Sequence, residues 1–222
     1  MYLKAEKGKG NTVIYYTSNG IRTIRKDGSR ACRNNNPGNV IAGRFSNDHG
    51  AIGSAGGFAV FPDYQTGRSA FIALIKGSKY FPLTIHIALG KYEPRNADNY
   101  RTLVKQFTGL ESDRTIQSLN ATEFDSLIQA IEKIEGWILG TETTQPPLKQ
   151  IMGTKKDKTG FVIEYHINGL GWIPKAEAID LARKGEVDAV LAQSKNGNPY
   201  LRSHPDHSIT NNFIVHTIEE SA

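Results

Sequence analysis

The chain has 222 residues, 38% of them apolar and 22% charged, with a formal net charge of +5 and a sequence pI near 9.2. That length suits one ordinary domain plus a small second one, and no apolar run approaches the roughly eighteen residues of a membrane span, so a soluble globular chain is expected. Basic residues favour acidic or polyanionic partners, but here they are scattered and not interleaved with aromatics, so no nucleic acid is expected.

The start, MYLKAEKGKGN, is basic and lacks an apolar core, so no secretory signal peptide is read there. Residues 12–25, TVIYYTSNGIRTIR, are two β-branched and aromatic runs joined through Asn19-Gly20, which predicts a hairpin. The single cysteine, Cys32, has no partner for an internal disulfide and reads as a small, partly buried residue. Residues 33–40, RNNNPGNV, set three asparagines before a Pro-Gly turn, where side-chain amides are wanted for hydrogen bonding or turn formation. In the glycine-rich stretch that follows, only Phe58 to Phe61 reads as a strand.

Thr66 is placed to cap a helix whose apolar positions Ala70, Phe71, Leu74 and Ile75 fall at helical spacing. A second helix is predicted over 83–89, stopped by Gly90, and a third over 96–107, closed by Gly109. The clearest, NATEFDSLIQAIEKIEGW at 120–137, opens with Asn120 and Glu123 as a capping box and stops at Gly136. Residues 141–160 have linker composition. Beyond them come a strand at 161–167, a helix over 176–183 with Pro174 at its first position, and strands at 187–192 and 200–202 around Asn196-Gly197. The expected fold class is therefore mainly α: a helical domain over 1–140 with a small hairpin region, a linker at 141–160, and a small α+β module at 161–222.

There is no HExxH pairing, phosphate loop or Gly-x-Ser-x-Gly elbow, and no Ser/His/Asp set stands out. His204 and His207 have a spacing that suits a metal, but a solvated tail is the simpler reading; no metal and no cofactor are expected.

RNNNPGNV, HGAIGSAGGFAVFPDYQTGRSAFIALI, YEPRNADNYRTLVKQFTGL and LIQAIEKIEGW occur in this order within residues 28–138. Together they resemble a family of phage virion proteins and secreted bacterial proteins of lysozyme-like, cell-wall-degrading character. In that wider group a catalytic Glu closes a helix and is followed by a hairpin with an Asn-Asn-x-x-Gly element, then an aromatic strand. Asn35 and Asn36 would match the pair, Gly38 or Asn39 the turn, and residues 58–64 the strand. Upstream of the Asn segment the chain has only Glu6, in a start that does not read as a helix. The resemblance therefore implies a lysozyme-like fold that is circularly permuted, with its Glu-bearing helix in LIQAIEKIEGW.

Helical geometry supports the choice of Glu. At about 100° per residue with Phe124 at zero, Leu127, Ile128, Ile131 and Ile134 fall at about 300°, 40°, 340° and 280°. The stripe centres near about 335°; Glu135, at about 20°, lies inside it, and Glu132, at about 80°, lies towards its edge. A desolvated carboxyl at the last turn suits a general acid for a glycosidic oxygen; the plain alternative is that Glu135 pairs with an arginine or satisfies a buried polar group. Candidates for a second carboxylate are Asp48, Asp63, Glu93 and Asp98, of which Asp48 and Glu93 are expected to act beside Glu135.

The resemblance further implies that Asn34, Asn35, Asn36 and Asn39 present amides to the N-acetyl and hydroxyl groups of amino sugars, although at least two of them should only satisfy backbone groups of the turn. His49 is expected at the cleft rim, Tyr64 as a stacking platform and Tyr100 at the cleft. The partner implied is the peptidoglycan glycan strand, cut by a muramidase, glucosaminidase or lytic transglycosylase. Such a protein would be an antibacterial effector or phage-type lysin, made in the cytoplasm and acting at the wall or periplasm of a target bacterium. Delivery would involve a type VI-like secretion apparatus or a phage tail component, and a producer would need a cognate immunity protein. The alternative is a non-catalytic structural or wall-binding protein of such an apparatus. The segments GWIPKAEAIDLARKGEVDAVLA and NPYLRSHPD resemble a small uncharacterised domain family and carry no catalytic constellation.

Overall fold

A computed structural model describes residues 1–204 and 213–217. The chain divides into two units, residues 1–145 and 146–222.

The first unit opens with three strands, β1 (Tyr2–Lys7), β2 (Val13–Thr17) and β3 (Arg22–Lys26), the last two forming the hairpin signalled by Asn19-Gly20. Gly20 takes φ +78° there, a left-handed turn geometry that costs glycine nothing. Two short helices, α1 (Arg30–Arg33) and α2 (Arg44–Asp48), flank the Asn segment, and strands β4 (Gly53–Ala55) and β5 (Phe58–Val60) follow. Four longer helical segments come next: α3 (Tyr64–Lys76), α4 (Ile85–Tyr92), α5 (Ala97–Thr108) and, after a 3₁₀ turn at Ile116–Ser118, α6 (Ala121–Glu135). Strand β6 (Thr141–Gln145) then returns to the sheet.

The sheet corrects the mainly α expectation. It has six strands in the order β5-β4-β1-β2-β3-β6, with β1 and β4 parallel and the other pairs antiparallel. Helix takes 34% of the structure and strand 27%, so the fold is α+β with a substantial mixed sheet. The missed strands bury almost nothing. In β1 only Ala5 is buried, and in β6, TETTQ, four of five residues are exposed. Strands this exposed leave no apolar alternation to read. Residues 141–160, which have linker composition, hold β6 and the whole of the next strand, on either side of Pro146-Pro147.

Helices α3 to α6 enclose the main core, centred on Phe71, Tyr100, Val104, Leu127, Ile128 and Ile131. A smaller core beneath the sheet gathers Ala5, Val13, Tyr15, Ala55 and Val60. Strand β5 and the residue after it serve both, because Ala59 and Phe61 face one core and Val60 the other. Capping explains the helix limits. Asp63, rather than Thr66, caps α3, its carboxylate accepting from the Thr66 backbone N–H at 2.8 Å. Asn120 and Glu123 form the capping box of α6. Gly90 does not stop α4, which runs on to Tyr92; a Cβ there would lie 2.1 Å from the Arg101 guanidinium, so the glycine leaves room for the side chain that donates to the His86 carbonyl.

The second unit is an antiparallel meander, β7 (Ile151–Lys156), β8 (Val162–Ile167) and β9 (Gly171–Pro174), with β12 (Ile214–Thr217) parallel to β7. Helix α7 (Lys175–Arg183) and the hairpin β10 (Val190–Gln193) and β11 (Pro199–Arg202) complete it. Pro174 takes the N-cap rather than the first helical position. Tyr165, Ile167, Ile173, Ala178 and Leu201 form this unit's own core, and the Tyr165 hydroxyl accepts from the Leu201 N–H at 2.8 Å. His207, half of the spacing considered for a metal, lies outside the described residues; His204 faces Asp188 at 3.1 Å.

Candidate functional site

The Asn segment is a bracket between sheet and helices. Asn34, Asn35 and Asn36 are 1%, 4% and 0% exposed, and their amides are spent on backbone. Asn34 donates to the Ala55 and Ala59 carbonyls, Asn35 to those of Phe61 and Pro62. Asn36 donates to the Val40 and Ala59 carbonyls and accepts from the Val40 N–H at 2.8 Å. The sheet grips the same segment: the Tyr15 hydroxyl donates to the Arg33 carbonyl at 2.6 Å and Arg25 donates to the Asn35 side-chain oxygen at 2.6 Å. The amide N–H groups of all three are thus committed to backbone carbonyls. At Asn35 and Asn39 the residue type has a further cause, because they adopt φ +50° and +44°, the left-handed region that Asn tolerates better than other side chains.

Asn39 is different. The Pro37-Gly38 turn carries it out of the bracket, with Gly38 lying against Phe71 so closely that a Cβ would sit 2.3 Å from the ring. The Tyr92 hydroxyl donates to the Gly38 carbonyl and pins that turn. Asn39 then donates from Nδ2 to Glu135 Oε2 at 2.5 Å, and its Oδ1 accepts from Arg30 Nε at 3.1 Å. The Tyr100 hydroxyl donates to Glu135 Oε1 at 2.9 Å. The carboxyl at the last residue of α6 is therefore held from two sides by neutral donors, and among the described residues it makes no ion pair.

Glu135 forms part of the wall of a cleft of about 300 Å³, together with Asn39, Tyr92, Glu93, Arg30 and Arg95. Phe58, Ile41 and Tyr80 add apolar wall, and Ile41 is 72% exposed. Burial, reinforced by the neighbouring Tyr92 and Glu135, pushes the Tyr100 hydroxyl far above its ordinary value. Tyr92 is raised by burial and then by the charge of Glu135. Both stay protonated throughout the working pH range, so Tyr100 remains a donor to Glu135.

Of the residues singled out from sequence, Glu135, Glu93 and Asn39 line one cleft, and Tyr100 stands behind Glu135. Asp48 and His49 are at the exposed end of α2, where Asp48 faces Arg44 at 3.8 Å and His49 stacks on Phe45; neither lines the cleft. Tyr64 is also outside it, set edge-on to Trp137 with ring centroids 4.9 Å apart. Glu132 turns towards α3, where Arg68 Nε approaches it at 3.1 Å. Burial nevertheless raises the Glu132 carboxyl, against the opposing pull of Arg68 and Tyr64. The helical angles thus separate two carboxylates that are three residues apart. Sequence reasoning missed Arg30, Tyr92 and Arg95. Tyr92 and Arg95 flank Glu93 in YEPR, which was the one local signal available.

Residues 150–213 match a family described as a protein of unknown function (DUF3892). The match covers the C-terminal unit and agrees with its resemblance to a small uncharacterised domain family. No curated protein matches the chain.

Proposed function

We propose that the first unit is a glycosidase acting on peptidoglycan, with Glu135 as its acid. The observation that carries this reading is the fixed carboxyl in a concave, partly aromatic cleft, held by Asn39 and Tyr100 and, among the described residues, making no ion pair. Each oxygen of Glu135 uses one lone-pair site for these bonds, leaving another on which a proton can be carried to the glycosidic oxygen. As that proton transfers, the bond from the anomeric carbon to the leaving oxygen breaks and Glu135 becomes a carboxylate stabilised by its two donors. It then takes the proton of the group that closes on the anomeric carbon. In a lytic transglycosylase that group is a hydroxyl of the same sugar. In a hydrolase it is water, and Glu93, in the wall of the same cleft, is the carboxylate proposed to assist it.

The resemblance of residues 28–138 to cell-wall-degrading proteins supports the choice of substrate, and the positive net charge suits an anionic wall. Delivery to the wall of a target bacterium, by a phage particle or a contact-dependent secretion apparatus, belongs to the same proposal, as does a cognate immunity protein. The second unit is proposed to attach the enzyme to its carrier or its substrate.

The test is to incubate purified sacculi from several bacteria with the protein and weigh the soluble products. Glycan fragments with a reducing end identify a hydrolase, and fragments lighter by one water identify a transglycosylase. Binding to sacculi with no fragment released would mark a non-catalytic wall-binding protein. Release of peptides alone would overturn the glycosidase.

A further inference from the structure

Next to the Glu135 cleft lies a second concavity of about 210 Å³, walled in part by Lys7, Thr12, Arg30, Arg33 and Gly56. Three of these side chains are cationic and none of the residues lining it is acidic. Like charges gathered on one concave surface repel each other, and an anion relieves that repulsion. The two arginines are held in place by other groups. Arg33 donates from Nη1 to the Asp27 and Gly28 carbonyls at 2.9 and 2.6 Å. Arg30 lies over the Phe58 ring at 3.6 Å and gives its Nε to Asn39. These bonds occupy one nitrogen of each guanidinium, and both carry further donors. Lys7, at the exposed end of β1, makes no ion pair among the described residues.

Arg30 also lines the Glu135 cleft. It is therefore a wall shared by the two concavities, with its Nε bound to the amide that holds the acid. We propose that the second concavity is an anion subsite of the cleft and takes a carboxylate carried by the glycan. This rests on the glycosidase reading for the identity of the ligand. The carboxylate can belong to the sugar itself or to a peptide attached to it, and Lys7, Arg30 and Arg33 recognise either by the same charge-assisted bonds. A strand bound in this way is oriented along the cleft by its acidic substituents, and a neutral amino-sugar chain gains only the contacts of the cleft.

The test uses the full chain, wild type and Lys7→Glu, with equal melting temperatures as the check on folding. First, acetate and inorganic phosphate are titrated separately while the amide signals of Gly10, Thr12 and Gly56 are followed by NMR. Saturating shifts in the wild type that Lys7→Glu abolishes are expected; no shift, or shifts unaltered by the variant, would overturn the subsite. Second, calorimetry compares three oligosaccharides of equal length: a neutral N-acetylglucosamine chain, one with a free carboxylate on alternate sugars, and one whose sugar carboxylate is amide-linked to a short acidic peptide. The wild type is expected to bind at least one acidic chain about fivefold more tightly than the neutral one, as a single charge contact near a surface allows. Lys7→Glu should remove that preference and leave the neutral affinity unchanged. Whichever acidic chain shows the preference identifies the source of the carboxylate. Equal affinity for all three in the wild type overturns the inference and leaves the glycosidase standing. Bare-anion shifts without binding of any oligosaccharide support the subsite and remove the glycosidase reading.

Discussion

Four asparagines within six residues do two kinds of work. Asn34, Asn35 and Asn36 stitch the backbone of β5 and its continuation to the turn, and Asn39 alone reaches the cleft. The two kinds should separate under mutation. Asn36→Ala leaves a buried N–H and two carbonyls with lost partners, and a loss of about 3 kcal/mol is expected in urea unfolding. Asn39→Ala breaks bonds at a partly exposed residue. It should cost about 1 kcal/mol, mostly from the left-handed backbone, while glycan release slows by about tenfold or more because Glu135 loses a donor. If Asn39→Ala slowed nothing, the amide would be a turn residue like its neighbours.

At the scale of elements, α6 carries the site. One turn of it sends Glu132 to Arg68 on α3 and Glu135 to Tyr100 on α5. Its capping box fixes the start, and Arg114 together with the Asn120 N–H holds Glu123 down to about 2. Arg68 also faces Asp125 at 2.7 Å, so Arg68→Ala should strip two carboxylates of a cation at once, at a cost of about 2 kcal/mol at neutral pH. The pH dependence has a definite sign. Glu132 is raised in the folded state, so its contribution is full below the unfolded value and is lost as pH rises through the folded one. Without Arg68 that loss deepens. Asp125, which Arg68 lowers, contributes above its unfolded value and loses that contribution as pH falls. Both effects make the variant's deficit larger at pH 7 than at pH 4, and denaturation at the two pH values checks it; an equal deficit would mean that Arg68 acts by packing alone.

The longer helices α3, α4, α5 and α6 were legible from their apolar spacing and end signals, whereas the one-turn helices α1 and α2 were not, and the position of Glu135 could be computed from the stripe of its own helix. The sheet was not. β1 and β6 bury one residue between them, and β4 is three residues long. Their pairing is decided by partners far away in sequence, as when Glu142 on β6 meets Arg25 on β3 at 2.7 Å, and no local pattern records that. Arg30 was missed for the same reason: only the folded turn brings it to Asn39.

For the whole molecule, each unit has its own core, which is the physical requirement for folding alone. A fragment of residues 1–145 is expected to fold and to keep the cleft. A fragment ending at 140 loses β6 and the Arg25–Glu142 pair and should unfold at lower denaturant, since β3 then becomes a bare edge. Equal midpoints would mean that β6 adds nothing to the unit. The central claim, however, is the chemistry of a single carboxyl. Glu135→Gln keeps the shape of that side chain and removes its proton transfer. The rate of glycan release from sacculi by the variant, compared with the wild type at equal melting temperature, tests the claim most directly. Release by the wild type and a loss of about a hundredfold or more in the variant are expected; equal release by the two would contradict the role of Glu135, and the acid would have to be sought elsewhere.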